Sequence, residues 1–433
     1  MPTKGRELSV AEAAALIGPR DTVMCGFVSG QPKGILETLG TRGDLEDVLL
    51  FTGILAAPYS LLQNPKIRVR SGFFGPIERM ARAAGARVDF LPGDFHGLER
   101  LALVHKPRVV LAVTTPPDAD GWMSFGTHAG AAYRPFLDAA RDPSRLAIAE
   151  VNAEMPRVGG LPEHGDNRVH VSEIDAWTRF DSPLFELPDM PPSPEELAIA
   201  DHVTGLIHDG ATLQFGIGAV PNEIARRLAA GSQGDFGIHT EMIADGVMQL
   251  HDAGKVTNRK GLYDGVSVAT FALGSAALYR WLDGNPAVRM LPVSATNEPA
   301  LMRGLRDFVS VNACLCVDLF GQVAADRIGG RQYSGIGGAE AFVVGSSEAP
   351  GGKSVLCLKS TATVDGTRIS TIVPDLPAGT LVTTPRHHVQ WVVTEQGAVD
   401  LSFLSDVERA EALVGIAHPD FRADLSAAIS RMI

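Results

Sequence analysis

Short apolar runs alternate with helical patterns along most of this chain, and that alternation constrains the fold more than any other feature. Residues 22–28, 48–54, 67–74, 88–91, 109–113 and 146–151 are β-rich runs of strand length, while 33–39, 77–84, 98–105 and 135–140 carry helical spacing. Strands that alternate with helices of this length imply βαβ units and a mainly parallel sheet. The second half repeats the scheme. Strands are expected at 212–215, 237–240, 266–272, 288–293, 308–320, 354–358, 382–384 and 389–393, and helices at 222–228, 407–413 and 421–432.

The chain opens on Ser9 and Glu12, which have the spacing of a capping box ahead of a helical run over 10–17 ended by Gly18-Pro19. Four prolines between Leu187 and Pro194 cannot lie inside a helix or a central strand. They mark a boundary near residue 190, and a helical run over 197–207 follows. Both halves then start helix, strand, glycine loop, helix. The expected fold is α/β: two related open α/β domains with mainly parallel sheets, at 1–190 and 191–433.

The length of 433 residues supports two or three cores. A net charge of -12 argues against nucleic acid or an anionic membrane as the main partner. Cys25, Cys314, Cys316 and Cys357 are too few for a disulfide scaffold and fit a reducing cytoplasm. Cys314 and Cys316 lie in an apolar run without zinc-type ligand spacing, so no metal is expected. The first ten residues lack the apolar core of a signal peptide, and no apolar run approaches the ~18 residues that span a bilayer. A cytoplasmic homodimer is the expectation for an enzyme of this size.

Chemistry is expected at Gly237-Ile238-His239-Thr240-Glu241-Met242, where a carboxylate follows the end of a strand. Open α/β sheets place their ligands at the carboxyl ends of strands. A desolvated glutamate aimed at an activated carbonyl is a competent nucleophile, and a thioester offers a good leaving group. The other reading of Glu241 is a cap on a helix that starts at Met242. Gly216-Ile217-Gly218-Ala219-Val220 is a strand-to-helix loop that reads either as a tight turn or as a nest of backbone donors for an anion or oxyanion. It lacks the spacing of a dinucleotide fingerprint or a P-loop. Gly335, Gly337 and Gly338 in SGIGG form a second candidate donor loop ahead of Phe342-Val343-Val344. Asn297 sits in a loop where its amide binds a carbonyl or closes a turn. His387 and His388 read as surface, and His418 as the residue before Pro419 at a helix start.

Taken in order, LQFGIGAVPNEI (213–224), GIHTEMIADGV (237–247), VDLFGQV (317–323), SGIGG (334–338), VVTEQG (392–397) and IAHPDFR (416–422) resemble the acetyl-CoA hydrolase/transferase family. So do the first-half elements Pro116-Pro117-Asp118, Ser124-Phe125-Gly126 and Val151-Asn152. The resemblance spans nearly the whole chain. It implies that Glu241 is the catalytic glutamate, and that Gly216 to Val220 binds CoA and supplies a donor near the thioester. It implies that Gly335, Gly337 and Gly338 complete the oxyanion hole, and that Asn297 is the family's loop asparagine. The implied partners are acyl-CoA and small carboxylic acids. Coenzyme A is then substrate and product, with no permanently bound cofactor. Members of the family follow SGIGG with Gln and an Asp-Phe pair, where this chain has Ala339-Glu340-Ala341. They continue GQV with Asn-Ser/Ala-Glu, where it has Ala324-Ala325-Asp326. Both changes remove amide side chains near the implied pocket. A CoA-transferase is the expected activity, with an acyl-CoA hydrolase and a catalytically silent acyl-CoA-binding protein as the alternatives.

Overall fold

A computed structural model describes residues 4–188 and 190–430. The chain forms two compact units. One holds residues 1–188 with 268–297, and the other holds 189–267 with 298–433. The segment 268–297 thus belongs with the first unit, although it follows residue 190 in sequence.

The first unit is built on eight strands: β1 (Arg6–Leu8), β2 (Thr22–Cys25), β3 (Val48–Thr52), β4 (Ile67–Ser71), β5 (Val88–Phe90), β6 (Val109–Thr114), β7 (Leu146–Val151) and β8 (Ala176–Arg179). Their spatial order is β1-β8-β7-β6-β2-β3-β4-β5, and every pairing is parallel. All six residues of β6, VVLAVT, are buried, as a central strand covered on both faces requires. β4, next to the edge, alternates buried and half-buried residues instead. Helices α1 (Val10–Ala15) and α2 (Lys33–Thr41) cover this sheet with Ala13, Ala14, Ile35 and Leu36, which pack on Val23, Leu50, Leu111 and Ile148. Each large apolar side chain among these contributes about 1.5–3 kcal/mol when fully buried. Ser9 and Glu12 form the expected capping box on α1.

The second unit opens on α3 (Pro194–Thr204), started by a capping box of Ser193 and Glu196. Its sheet comprises β9 (Thr212–Phe215), β10 (Gly237–Ile238), β11 (Phe308–Ala313), β12 (Lys353–Cys357), β13 (Trp391–Thr394) and β14 (Gly397–Asp400). The order is β10-β9-β11-β12-β13-β14, parallel except for the last pair. Both units therefore have the α/β architecture with a mainly parallel sheet that the alternation predicts.

Several expected strands are shorter. The run 22–28 leaves the sheet after Cys25 and winds into a turn at Val28–Gly30. The run 308–320 breaks after Ala313, and its second part, Cys316–Asp318, pairs with Val323–Ala324 and Ile372–Val373 rather than with β11's neighbours. Thr270 interrupts 266–272, and 382–384 contributes a single bridge, Val323 to Thr384. The closing helix spans Pro419–Ile429, with His418 as its cap, and its expected end at Met432 lies outside the described residues.

Candidate active site

β9 and β10 are adjacent and parallel, with Thr212 opposite Gly237 and Leu213 opposite Ile238. Their carboxyl ends therefore open on the same edge of the sheet, and each carries one of the sequence's candidate loops. After Ile238 the chain turns. The His239 amide donates to Leu213 O at 3.1 Å, and the Thr240 hydroxyl lies 3.0 Å from Met242 O and 3.3 Å from Phe215 O. His239 and Thr240 are buried to within 1% of completely, and Met242 and Ile243 are buried too. Glu241 between them is half-buried. Of residues 239–243, Glu241 alone keeps partial exposure, and the buried residues on either side anchor the turn.

The helix that the pattern starts at Met242 begins later, as α5 (Asp245–Asp252) with Ala244 as its cap. Met242–Ile243 is extended, because two apolar residues fit a strand as well as a helix. Glu241 therefore stands four residues ahead of α5, and the carboxylate in the first turn is Asp245. The cap reading of Glu241 loses its geometric basis.

On the neighbouring strand, Phe215 leads through Gly216 and Ile217 to Gly218, which caps α4 (Ala219–Ala230). Gly218 has φ +116 and ψ −176, a region that is essentially glycine's alone. It brings no capping side chain. By helix geometry the N–H groups of Ala219 and Val220 have no intrahelical acceptor, and Pro221 has no N–H. With the dipole of α4, these donors favour an anion or an oxyanion at the loop. Ile217, 47% exposed, stands beside them in sequence.

Gly335, Gly337 and Gly338 lead in the same way into α6 (Ala339–Glu348), with Gly337 at φ +59. Phe342 to Val344 is therefore helix interior. The ring of Phe342 in α6 lies 6.5 Å from that of His239 in the Glu241 turn. Asn297 lies in the first unit. It is fully buried, ends the short helix Val293–Thr296, and its Oδ1 accepts from Thr296 Oγ1 at 2.9 Å.

Burial pushes the thiols of Cys25, Cys316 and Cys357 up to about 12, so none is a thiolate near neutrality. No group of three His, Cys, Asp or Glu among the described residues could hold a metal ion. No helix among them is long and apolar enough to cross a membrane.

Residues 274–429 match the model of the acetyl-CoA hydrolase/transferase C-terminal domain. The chain is 37% identical to the succinyl-CoA:cyclohexane-1-carboxylate CoA transferase of Geobacter metallireducens, over 98% of this chain and 95% of that one. It is 38% identical to the 4-hydroxybutyrate coenzyme A transferase of Clostridium kluyveri, over 82% and 80%. The chain belongs to the acetyl-CoA hydrolase/transferase family. It is an enzyme of the CoA-transferase class. The solved structure of RipA from Yersinia pestis superposes with a TM-score of 0.89 at 34% identity, over 99% of this chain and 97% of that one. That of 4-hydroxybutyrate CoA-transferase from Porphyromonas gingivalis superposes with a TM-score of 0.80 at 30% identity, over 99% and 98%.

In this CoA-transferase the two segments that depart from the family pattern converge on one dipeptide, Thr383-Thr384. The Asp326 carboxylate accepts from Thr383 Oγ1 at 2.6 Å, and the Ala325 amide donates to the same oxygen at 2.8 Å. Glu340, in the first turn of α6, accepts from Thr384 Oγ1 at 2.8 Å and lies 2.7 Å from Nδ1 of His388. The backbone N–H groups of Tyr333 and Ser334 donate to Asp326 O at 2.8 and 3.2 Å. The SGIGG loop is thus tied at both ends. His388, read from sequence as surface, has a side chain only 33% exposed and belongs to this network.

Proposed function

We propose that the enzyme moves CoA from a short-chain acyl-CoA to a small carboxylic acid, with Glu241 as the nucleophile. The observation that carries this reading is the half-buried Glu241 at the tip of an otherwise buried turn. That turn sits at the same sheet edge as the donor-lined N-terminus of α4. A Glu241 oxygen attacks the thioester carbonyl and the CoA thiolate leaves, giving an acyl-glutamyl anhydride. The thiolate then attacks the glutamyl carbonyl, which forms a glutamyl-CoA thioester and releases the first carboxylate. An incoming carboxylate runs the same steps in reverse. The N–H groups of Ala219 and Val220, together with Gly335, Gly337 and Gly338, are the candidate donors for CoA and for the oxyanion at each tetrahedral stage. Asn297 is proposed as a pocket residue, by family resemblance alone. The scheme uses no resident cofactor, and we place the enzyme in the cytoplasm as a homodimer.

Mass spectrometry after incubation with acyl-CoA and borohydride tests the mechanism. A glutamyl-CoA adduct, or its reduced product, is expected on the peptide that holds Glu241, and a clean peptide would sink the proposal. Relatives named acetyl-CoA hydrolase, such as that of Saccharomyces cerevisiae, match 51% of the chain at 27% identity. Water is therefore the acceptor to exclude. Loss of acyl-CoA that is unchanged by added carboxylic acid would identify a hydrolase.

A further inference from the structure

Behind the Glu241 turn lies a fully buried lysine. The ammonium of Lys260 donates to the carbonyls of Tyr263 and, at 2.7 Å, Val266. The amides of Lys260 and Gly261 both donate to Asp264 Oδ1, at 2.9 and 2.7 Å, and Arg306 N donates to Lys260 O at 3.2 Å. These bonds close residues 260–266 into one rigid loop. The loop lies directly on β10: a Cβ added to Gly237 would sit 2.7 Å from Lys260 Cβ and 3.1 Å from its Cδ. Asn258 adds a second tie, its Oδ1 accepting from Ile238 N at 2.9 Å.

The closed loop presents Tyr263 in a left-handed conformation, φ +52. Its ring is parallel to that of His239, 6° apart in plane at 6.3 Å between centroids. Phe308 meets the same imidazole edge-on at 6.0 Å. His239 is thus braced on several sides, two residues ahead of Glu241. Burying an ammonium costs several kcal/mol, and burial drives Lys260 down to about 8. A methionine would fill the stem's space without that cost, but could not hold two carbonyls.

We propose that Lys260 is a positioning residue for Glu241: by closing the 260–266 loop it holds Tyr263 against His239, and so fixes the direction of the Glu241 carboxylate. The inference rests on the reading of Glu241 as the nucleophile.

Lys260→Met and Tyr263→Ala test it, each compared with the native enzyme for thermal midpoint, kcat, KM for acyl-CoA and rate of borohydride-trapped adduct on the Glu241 peptide. Misplacing a reacting group by about 1 Å costs on the order of 100-fold. The expected result is therefore a roughly 10- to 100-fold fall in kcat and in adduct formation, with KM within about twofold of native. Folded variants with native kcat overturn the proposal. Should Lys260→Met fail to fold, Tyr263→Ala, which leaves the lysine's bonds in place, decides alone by the same criterion. An adduct missing from the native enzyme itself overturns the Glu241 reading and this inference with it. An adduct present at equal rates in all three proteins overturns only the role of Lys260.

Discussion

Glu340 and Asp326 hold neighbouring residues of one segment, Glu340 through Thr384 at 2.8 Å and Asp326 through Thr383 at 2.6 Å. Both lie in the segments where this chain departs from the family pattern, and each is an acceptor that fastens one end of the SGIGG loop. Glu340→Ala removes the bonds to Thr384 and His388. A net loss of about 1–3 kcal/mol in unfolding free energy is expected, the usual contribution of two partly buried hydrogen bonds, with a fall in kcat/KM as α6 loosens at its start. Denaturant unfolding checks this, and coincident midpoints for the variant and the native enzyme would refute it.

The two glycines of the Gly216–Gly218 loop should respond differently to a methyl group. Gly218 sits at φ +116 with open space where a Cβ would stand, so any penalty for Gly218→Ala comes from the backbone alone. A cost of about 1–3 kcal/mol is expected, with lost turnover as the donors of α4 shift. Gly216 is outside the positive-φ set, and its nearest neighbour, Val311 O, is 3.9 Å from a Cβ. Gly216→Ala should fold with native stability. Equal melting points for the two variants would contradict this difference.

His128 gives the first unit a pH dependence of known sign. Its Nε2 lies 3.1 Å from Val113 O, and its Nδ1 packs so close to Gly30 that a Cβ there would be 2.5 Å away. Burial lowers its pKa from 6.5 to about 4. Below pH 6.5 the unfolded chain takes up a proton that the folded chain refuses until about pH 4. The stability from neutral His128 is therefore complete above 6.5 and drains away as pH falls toward 4. His128→Gln, which has no titrating group, should show a shallower loss of stability over that window. Urea unfolding at several pH values measures it, and parallel curves would reject the account.

Glu241→Ala should abolish CoA transfer, while a silent binding protein would be indifferent to it. Glu241→Asp keeps the charge but draws the carboxylate back by one methylene, and a loss on the order of 100-fold in kcat is expected. Steady-state rates with acyl-CoA and acetate decide, and a fully active Glu241→Asp enzyme would remove the nucleophile reading.

Elements that announce themselves locally were legible. The capping box of Ser9 and Glu12, the buried run of β6 and the glycine loops entering α4 and α6 each follow from neighbouring residues. What stayed hidden depends on distant ones. Met242–Ile243 suits helix and strand alike, and its neighbours in the fold decide for extended chain. The run 308–320 shows no breaker, yet it changes sheets at Cys314. Lys260 and Tyr263 sit in a patternless loop, and the role proposed for them follows from lying over Gly237 and His239. The roles proposed for Glu241, the glycine loops and Asn297 rest on ordered resemblance to a family, since the spacing of Glu241 alone fits a cap as well as a nucleophile.

The membership of residues 268–297 in the first unit has a consequence for how this enzyme is made and divided. Neither unit is an uninterrupted length of chain. A ribosome releases the last part of the first unit only after residues 189–267 of the second, so neither can finish folding before most of the chain exists. A gene split after Pro188, or a graft of residues 189–433 onto another protein, strips the first unit of 268–297 and carries that segment away from its core. No single cut in the chain separates the two units intact.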